Sequence, residues 1–407
     1  MSVRKVNSIY HKMRKIIVMI VVPFNFLFPQ ILLSQSFSIG HIQKTYTDAS
    51  RSNRSVSCEI YYPSLTNGDN VPVSSGVFPV LVFGHGFLMD YSAYDVLWNS
   101  LVQQGYIMVF PTTETGFSPS HTNFAGDMSF LTHALKSEGN DALSVFYGRV
   151  DTACALMGHS MGGGCAFLAM ETDTTITAMA TLAAAVTNPS SVTAALQINK
   201  PALVISGGND CVAPAAAHQL PMYDSLASVC KSFISITGGS HCQFASSNFY
   251  CTLGESTCTP QPAISAGVQQ ELTDSLLLPW LNFYLRSDCA AADTFQSRLS
   301  AGMGITAQQN CVLACVINDI DDAKRIQLVV YPNPTTGRIT IESARRTGDA
   351  FIRIFDSWGR EVYSGTFAGS GEIVLPSYLR GGVYRVTLEN KSAEVMGSTK
   401  FILVDKF

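Results

Sequence analysis

The chain has no surplus of charge of either sign. Its 26 Lys and Arg stand against 30 Asp and Glu, for a net charge of -4 in 407 residues. No basic stripe with interleaved aromatics occurs beyond the N-terminus, so no nucleic-acid partner is expected. The histidines at 85, 121, 133, 159, 218 and 241 follow no recognised ligand spacing, which argues against a metal site. An uninterrupted membrane-length run is also missing: Pro23, Asn25, Pro29 and Gln30 break Ile16 to Leu33 before it reaches about 20 apolar residues. What the chain does have is apolar content, 47% of residues, enough for two domains with real cores.

Arg4, Lys5, Lys12, Arg14 and Lys15, then that apolar segment, then Ser34-Gln35-Ser36 make a positive, apolar, small-polar series. Residues 1–35 are therefore expected to be a cleaved secretory signal, with translation starting at Met1 or Met13. Eleven cysteines in an exported chain are candidates for disulfides, and the odd number leaves at least one unpaired. Cys251 and Cys258 bracket a short polar loop and are expected to staple it. Cys289 is expected to close onto Cys311 or Cys315, whereas Cys154 and Cys165 read as free, buried thiols.

The centre of the pattern is Gly158-His159-Ser160-Met161-Gly162-Gly163-Gly164. A serine hydroxyl is a poor nucleophile until a strained strand-to-helix turn exposes it beside a base. The apolar run Ala153 to Met157 supplies the strand, and the small, then apolar stretch Gly163 to Met170 supplies the helix. A side chain at Gly162 or Gly164 would push that helix off the sheet. Upstream, the apolar strand Phe78 to Phe83 ends in Gly84-His85-Gly86-Phe87, placed to form one wall of an oxyanion hole. The backbone N–H groups of Phe87 and Met161 are assigned to it, each worth roughly 3 kcal/mol in such a site.

Apolar strands alternate with helical segments: Asp95 to Gln104, Tyr106 to Phe110, Phe124 to Lys136, Ile176 to Leu182, Ala194 to Asn199, Ala202 to Ser206 and Phe233 to Ile236. Thr45 to Pro63 reads as an edge strand pair. This is the pattern of a mostly parallel sheet wrapped by helices. Two strands run into glycine turns carrying Asp210 and His241, and in a parallel sheet such turns share one edge with Ser160. Their assigned roles are nucleophile for Ser160, general base and acid for His241, and orienting carboxylate for Asp210. The alternative for Asp210 is to cap the helix after Pro214, and for His241 to be a satisfied loop histidine. Asp127, Glu114 and Asp173 compete for the acid's role but follow no strand end between serine and histidine. His85, Leu88, His159 and Val186 are candidate pocket residues, with His159 placed to pack or orient.

The order serine, acid, histidine is that of the α/β-hydrolases. Gly158 to Gly164, Pro201 to Pro214, Ile236 to His241, Val150-Asp151-Thr152 and Pro221 to Leu226 resemble bacterial cutinases and polyester (PET-type) hydrolases over about Phe78 to Leu285. The resemblance implies an α/β-hydrolase fold, carboxylic-ester hydrolysis through an acyl-enzyme, no cofactor, and Ser160, Asp210 and His241 as the triad. Gly84-His85-Gly86-Phe87 departs from those enzymes and is closer to chlorophyllases and platelet-activating-factor acetylhydrolase-like enzymes. The tryptophan that polyester hydrolases place after the strand following the nucleophile helix is replaced by Ala183-Ala184-Ala185-Val186-Thr187. The loop from Cys242 to Ala266 is additional and placed to roof the pocket. Related polyester hydrolases staple the acid and base loops, which implies a Cys211–Cys242 bridge here.

Asp288 to Gln327 changes in composition, and 301–326 reads as a linker between a catalytic domain over 36–300 and a module over 327–407. Short alternating strands separated by glycine turns predict a small all-β sandwich. Tyr331-Pro332-Asn333-Pro334 with Gly337, Ile354-Phe355-Asp356 with Gly359, and Gly382-Val383-Tyr384-Arg385-Val386 resemble the type IX secretion C-terminal sorting domain. That implies the type IX machinery as partner, passage across both membranes, and secretion or surface attachment with the module usually removed. A sugar-binding sandwich would carry exposed aromatics in a row, and this module does not. The overall expectation is a secreted, monomeric serine esterase acting on a small-molecule or polymeric ester, lipid esters and polyesters included. Its rival is a surface binding protein on a hydrolase scaffold that has lost its chemistry.

Overall fold

The structure is a computed structural model that describes residues 36–246, 248–315, 326–343, 350–356, 359–391 and 395–405. The expected signal over 1–35 lies outside them, as do residues 316–325 of the expected linker. The chain divides into two compact units, the first ending at Leu313 and the second beginning at Ala314.

The first unit is built on a ten-stranded sheet. Its strands are β1 (Ser38–Asp48), β2 (Arg54–Ser64), β3 (Gly68–Asp69), β4 (Phe78–Gly84), β5 (Ile107–Pro111), β6 (Val150–His159), β7 (Ala178–Leu182), β8 (Ala202–Gly207), β9 (Lys231–Ile236) and β10 (Ile305–Gln309). They lie in the order β10-β9-β8-β7-β6-β4-β5-β2-β1-β3. The six from β4 to β9 are mutually parallel, and every residue of β4, β5, β7 and β8 is buried. Burial on both faces explains why these strands read as unbroken apolar runs. The edge pair β1 and β2 runs antiparallel, from Ser38 opposite Ser64 to Asp48 opposite Arg54.

The helices are α1 (Asp95–Gln103), α2 (His121–Asn140), α3 (Met161–Thr172), α4 (Ser191–Ala195), α5 (Gln219–Ser225), α6 (Phe249–Glu255), α7 (Ala266–Arg286) and α8 (Cys289–Ala301). Alternate residues of β4 feed two cores. Val80 and Val82 pack with Phe124 and Leu131 of α2 and Phe167 of α3, while Leu81 and Phe83 pack with Leu101 of α1, Trp280 of α7 and Phe295 of α8. Helices therefore cover both faces, which is the α/β-hydrolase architecture.

Two boundaries differ from expectation. The helix expected over Ala194 to Asn199 is α4, which starts earlier because the Ser190 side chain accepts the Thr193 N–H and caps it. The stretch expected to be linker begins with β10, which pairs antiparallel with β9 and buries Ile305. Its polar sequence Thr306-Ala307-Gln308-Gln309 hides a strand whose backbone pairing covers the edge of β9.

The second unit holds β11 (Leu328–Tyr331), β12 (Arg338–Ser343), β13 (Ala350–Phe355), β14 (Glu361–Phe367), β15 (Ser370–Val374), β16 (Gly382–Glu389) and β17 (Val395–Leu403). They form two antiparallel sheets, β11-β12-β15 and β14-β13-β16-β17. Ile339, Ile341, Ile352, Ile354, Val386, Leu388 and Phe401 fill the space between with alternate side chains. The Asn333 carboxamide accepts the Ile402 N–H at 2.8 Å, so the Tyr-Pro-Asn-Pro segment is tied to the last strand.

Candidate active site

Strand order reverses at β4, with β5 on one side and β6 on the other, and the loops at the carboxyl ends of these strands form a crevice. Ser160 stands there between β6 and α3 with φ 53° and ψ -120°, a strained conformation for a residue with a Cβ. The turn is held by its own peptide groups: Ser160 N–H donates to Leu182 O at 3.0 Å, and Ser160 O accepts from Ala185 N–H at 2.9 Å. A Cβ on Gly162 would lie 2.1 Å from Gly84 O, and one on Gly164 would lie 2.0 Å from Ala185 O. Both helix positions must therefore be glycine for α3 to sit this close to the sheet.

His241 follows β9, and its Nδ1 lies 2.7 Å from Asp210 Oδ2, with both side chains buried. A carboxylate only accepts, so Nδ1 carries the proton and Nε2 keeps a lone pair for a hydroxyl. The other Asp210 oxygen accepts from Val212 N–H and Ala213 N–H at 2.9 and 2.8 Å. Asp210 thus caps a turn and orients the imidazole at once. Ser160 and His241 line one cavity of about 350 Å³ together with Phe87, Leu88, Met89, Val212, Tyr250 and Leu253. Phe87 N–H, after β4, makes no hydrogen bond among the described residues, and Met161 is the first residue of α3, where N–H groups lack intrahelical partners.

The competing acids are occupied elsewhere. Asp127 is fully buried against Arg51, Arg54 and Thr113, Glu114 pairs with Arg54, and Asp173 pairs with His133. Of the four expected pocket residues, Leu88 lines the cavity and the other three do not. His85 is buried, its ring nitrogens facing Gly86 O and Thr113 O at 2.9 and 2.8 Å. Val186 is engaged through its N–H with His218 Nδ1 at 3.0 Å.

His159 lies beneath the site, fully buried, with Nε2 3.0 Å from His241 O and Nδ1 3.0 Å from Tyr94 OH. Since a carbonyl only accepts, Nε2 carries the proton and Nδ1 accepts from Tyr94, whose oxygen accepts Gly86 N–H at 2.8 Å. The loop after β4 and the base loop are joined through one neutral imidazole. Burial, and secondarily the His241 ring, hold the His159 pKa well below its ordinary 6.5. The unfolded chain therefore binds the extra proton first, and stability is lost as pH falls below about 6.5. Thermal unfolding is expected to show a Tm that declines from pH 7 toward pH 5, with a smaller decline in His159→Gln. Equal declines would refute this.

Eight cysteines are disulfide-bonded, and three of the pairs differ from expectation. Cys211 pairs with Cys258, Cys242 with Cys251, and Cys230 with Cys311, at Cα separations of 5.4, 5.7 and 5.1 Å. Cys251 does not pair with Cys258: it lies within α6, whose remaining residues Thr252 to Glu255 separate the two along the chain, and each takes a different partner. Cys211 and Cys242, instead of bridging each other, each take one end of that segment. Cys311 is taken by Cys230, so of the two partners expected for Cys289 the first is excluded; Cys289 and Cys315 are the remaining disulfide-bonded cysteines, in line with the second. Cys154 and Cys165 are free and buried, as expected, and so is Cys58.

Sequence reasoning missed the groups that hold the base loop. Gln269 of α7 clamps Ser240, accepting its N–H and donating to its carbonyl, both at 2.8 Å, and Glu255 of α6 accepts His241 N–H at 2.8 Å. Neither residue carries a motif; only the path of the chain brings them to the site.

Residues 36–257 match the model of the family described as PET hydrolase-like, and residues 329–404 match that of the secretion system C-terminal sorting domain. The sorting domain marks the chain for export and secretion or cell-surface attachment. Curated relatives include a bis(hydroxyethyl) terephthalate hydrolase of Streptomyces coelicolor, 26% identical over 185 residues, or 45% of this chain and 54% of the relative. Cutinase 1 of Thermobifida cellulosilytica and a cutinase of Thermobifida fusca are each 26% identical over 186 residues, 45% of this chain and 64% and 56% of theirs. The chain thus spans less than two thirds of the length of these relatives. The sheet topology, the serine elbow and a family match covering more than half its length establish that this chain belongs to the PET hydrolase-like family of α/β-hydrolases.

Proposed function

We propose that this protein hydrolyses carboxylic esters through a covalent acyl-enzyme. The observation that carries the reading is a strained Ser160 sharing one apolar cavity with His241, whose Nδ1 is bonded to the buried Asp210. Ser160 Oγ attacks the ester carbonyl as its proton passes to His241 Nε2, and the N–H groups of Phe87 and Met161 hold the oxyanion. His241 returns the proton to the departing alcohol. Water then repeats the sequence in reverse order, releasing the acid and restoring the serine.

The cavity walls favour an uncharged, bulky acyl group, because Phe87, Leu88, Met89, Val212, Tyr250 and Leu253 are all apolar or aromatic. Relatives named for terephthalate-ester and cutin hydrolysis support aromatic or long-chain acyl groups, including polyester chain ends. Each buried methylene contributes about 0.8 kcal/mol, so p-nitrophenyl butyrate is expected to exceed the acetate roughly tenfold in kcat/KM. The series acetate, butyrate, octanoate and bis(hydroxyethyl) terephthalate tests this on the full chain. A preference for acetate would sink the apolar-acyl assignment.

A further inference from the structure

The additional segment between Asn248 and Cys258 does more than roof the cavity. Asn248 caps α6 by accepting Tyr250 N–H and Cys251 N–H, and the two disulfides fix the segment at both ends. One of these joins Cys258 to Cys211, the neighbour of Asp210; the other joins Cys251 to Cys242, the neighbour of His241. Between them Glu255 turns one carboxylate oxygen, Oε1, onto two amides, His241 N–H at 2.8 Å and Cys242 N–H at 3.2 Å. The His241 carbonyl is taken by His159. The base is thus held by three groups: Asp210 on its ring, His159 on its carbonyl and Glu255 on its amide.

We propose that Glu255 is a positioning residue for the base, acting through the main chain of His241, and that the disulfide-anchored strap serves to carry it there. The inference rests on the esterase reading. It follows from geometry: Nε2 must stand within hydrogen-bond reach of Ser160 Oγ, and a ring fixed at Nδ1 alone can pivot about that bond. A misplacement of about 1 Å costs on the order of 10²-fold in rate. Because the disulfides keep the strap and its cavity wall in place, loss of the carboxylate moves the base without moving the binding surface.

The test compares wild type, Glu255→Ala, Glu255→Gln and Ser160→Ala in the full chain with disulfides formed, using p-nitrophenyl acetate and correcting for folded fraction by thermal unfolding. Glu255→Ala is expected to lose about 10- to 100-fold in kcat with KM within about twofold. Glu255→Gln keeps an acceptor oxygen and is expected to stay within about threefold of wild type. Slow hydrogen exchange at the His241 and Cys242 amides of the wild type is a further expectation, and it does not depend on whether a variant folds. Retained kcat in Glu255→Ala, equal losses in the two variants, a loss carried by KM, or fast exchange at both amides overturns the proposal. Wild type no faster than Ser160→Ala removes the esterase reading and this inference with it.

Discussion

Ser160→Ala is expected to lower kcat/KM on every ester by at least ~10⁴-fold with no loss of thermal stability. The first half follows from the chemistry: among the described residues lining the cavity with His241, Ser160 carries the one aliphatic hydroxyl and Tyr250 only a phenol, and without the nucleophile only binding and the oxyanion donors remain. The second half follows from the backbone. Serine and alanine both carry a Cβ, so the cost of φ 53° is the same for either, and the turn's own hydrogen bonds come from peptide groups that alanine keeps. Initial rates on p-nitrophenyl butyrate and a thermal melt check both halves. Turnover surviving in the variant would show that another group performs the chemistry.

Gly162→Ala is expected to have a large structural effect for a single added methyl group. Its Cβ would meet Gly84 O at 2.1 Å, Gly84 C at 2.2 Å and His85 O at 2.7 Å, all of them backbone atoms that cannot rotate aside. α3 must therefore lift from β4, carrying Ser160 and the Met161 amide with it. We expect a destabilisation of about 3 kcal/mol or more, with activity in any folded fraction reduced on the order of 10²-fold. Gly116→Ala is the matched control, since nothing lies within 4 Å of its added Cβ. Denaturant midpoints for the two variants decide the matter, and a Gly162→Ala midpoint equal to the control would refute the close-approach argument.

Features tied to short-range pattern could be read from the chain. The buried strands show as apolar runs, the elbow as glycines at fixed offsets around Ser160, and the β-sandwich strands as alternation between Arg338 and Leu403. Asp210 and His241 could be placed because a parallel sheet delivers all its strand ends to one edge, which is a topological rule. Cysteine number could not give cysteine pairing: the parity was readable, but Cys211 and Cys242 could be matched to Cys258 and Cys251 only once α6 was placed. β10 escaped because an edge strand of polar residues is defined by its backbone bonds to β9.

The sequence by itself determined the family, the sorting module and the identity of the three reacting side chains proposed here. Each is encoded by residue types at local spacing, and local spacing survives without coordinates. The tertiary structure alone decided what stands around those side chains. Tyr94 reaches His159, Gln269 reaches Ser240 and Glu255 reaches His241 across 65, 29 and 14 residues, and His85 and Val186 are left outside the cavity. The reason is physical: a hydrogen bond needs two groups within about 3 Å, and over such separations the chain's path sets that distance, not its composition.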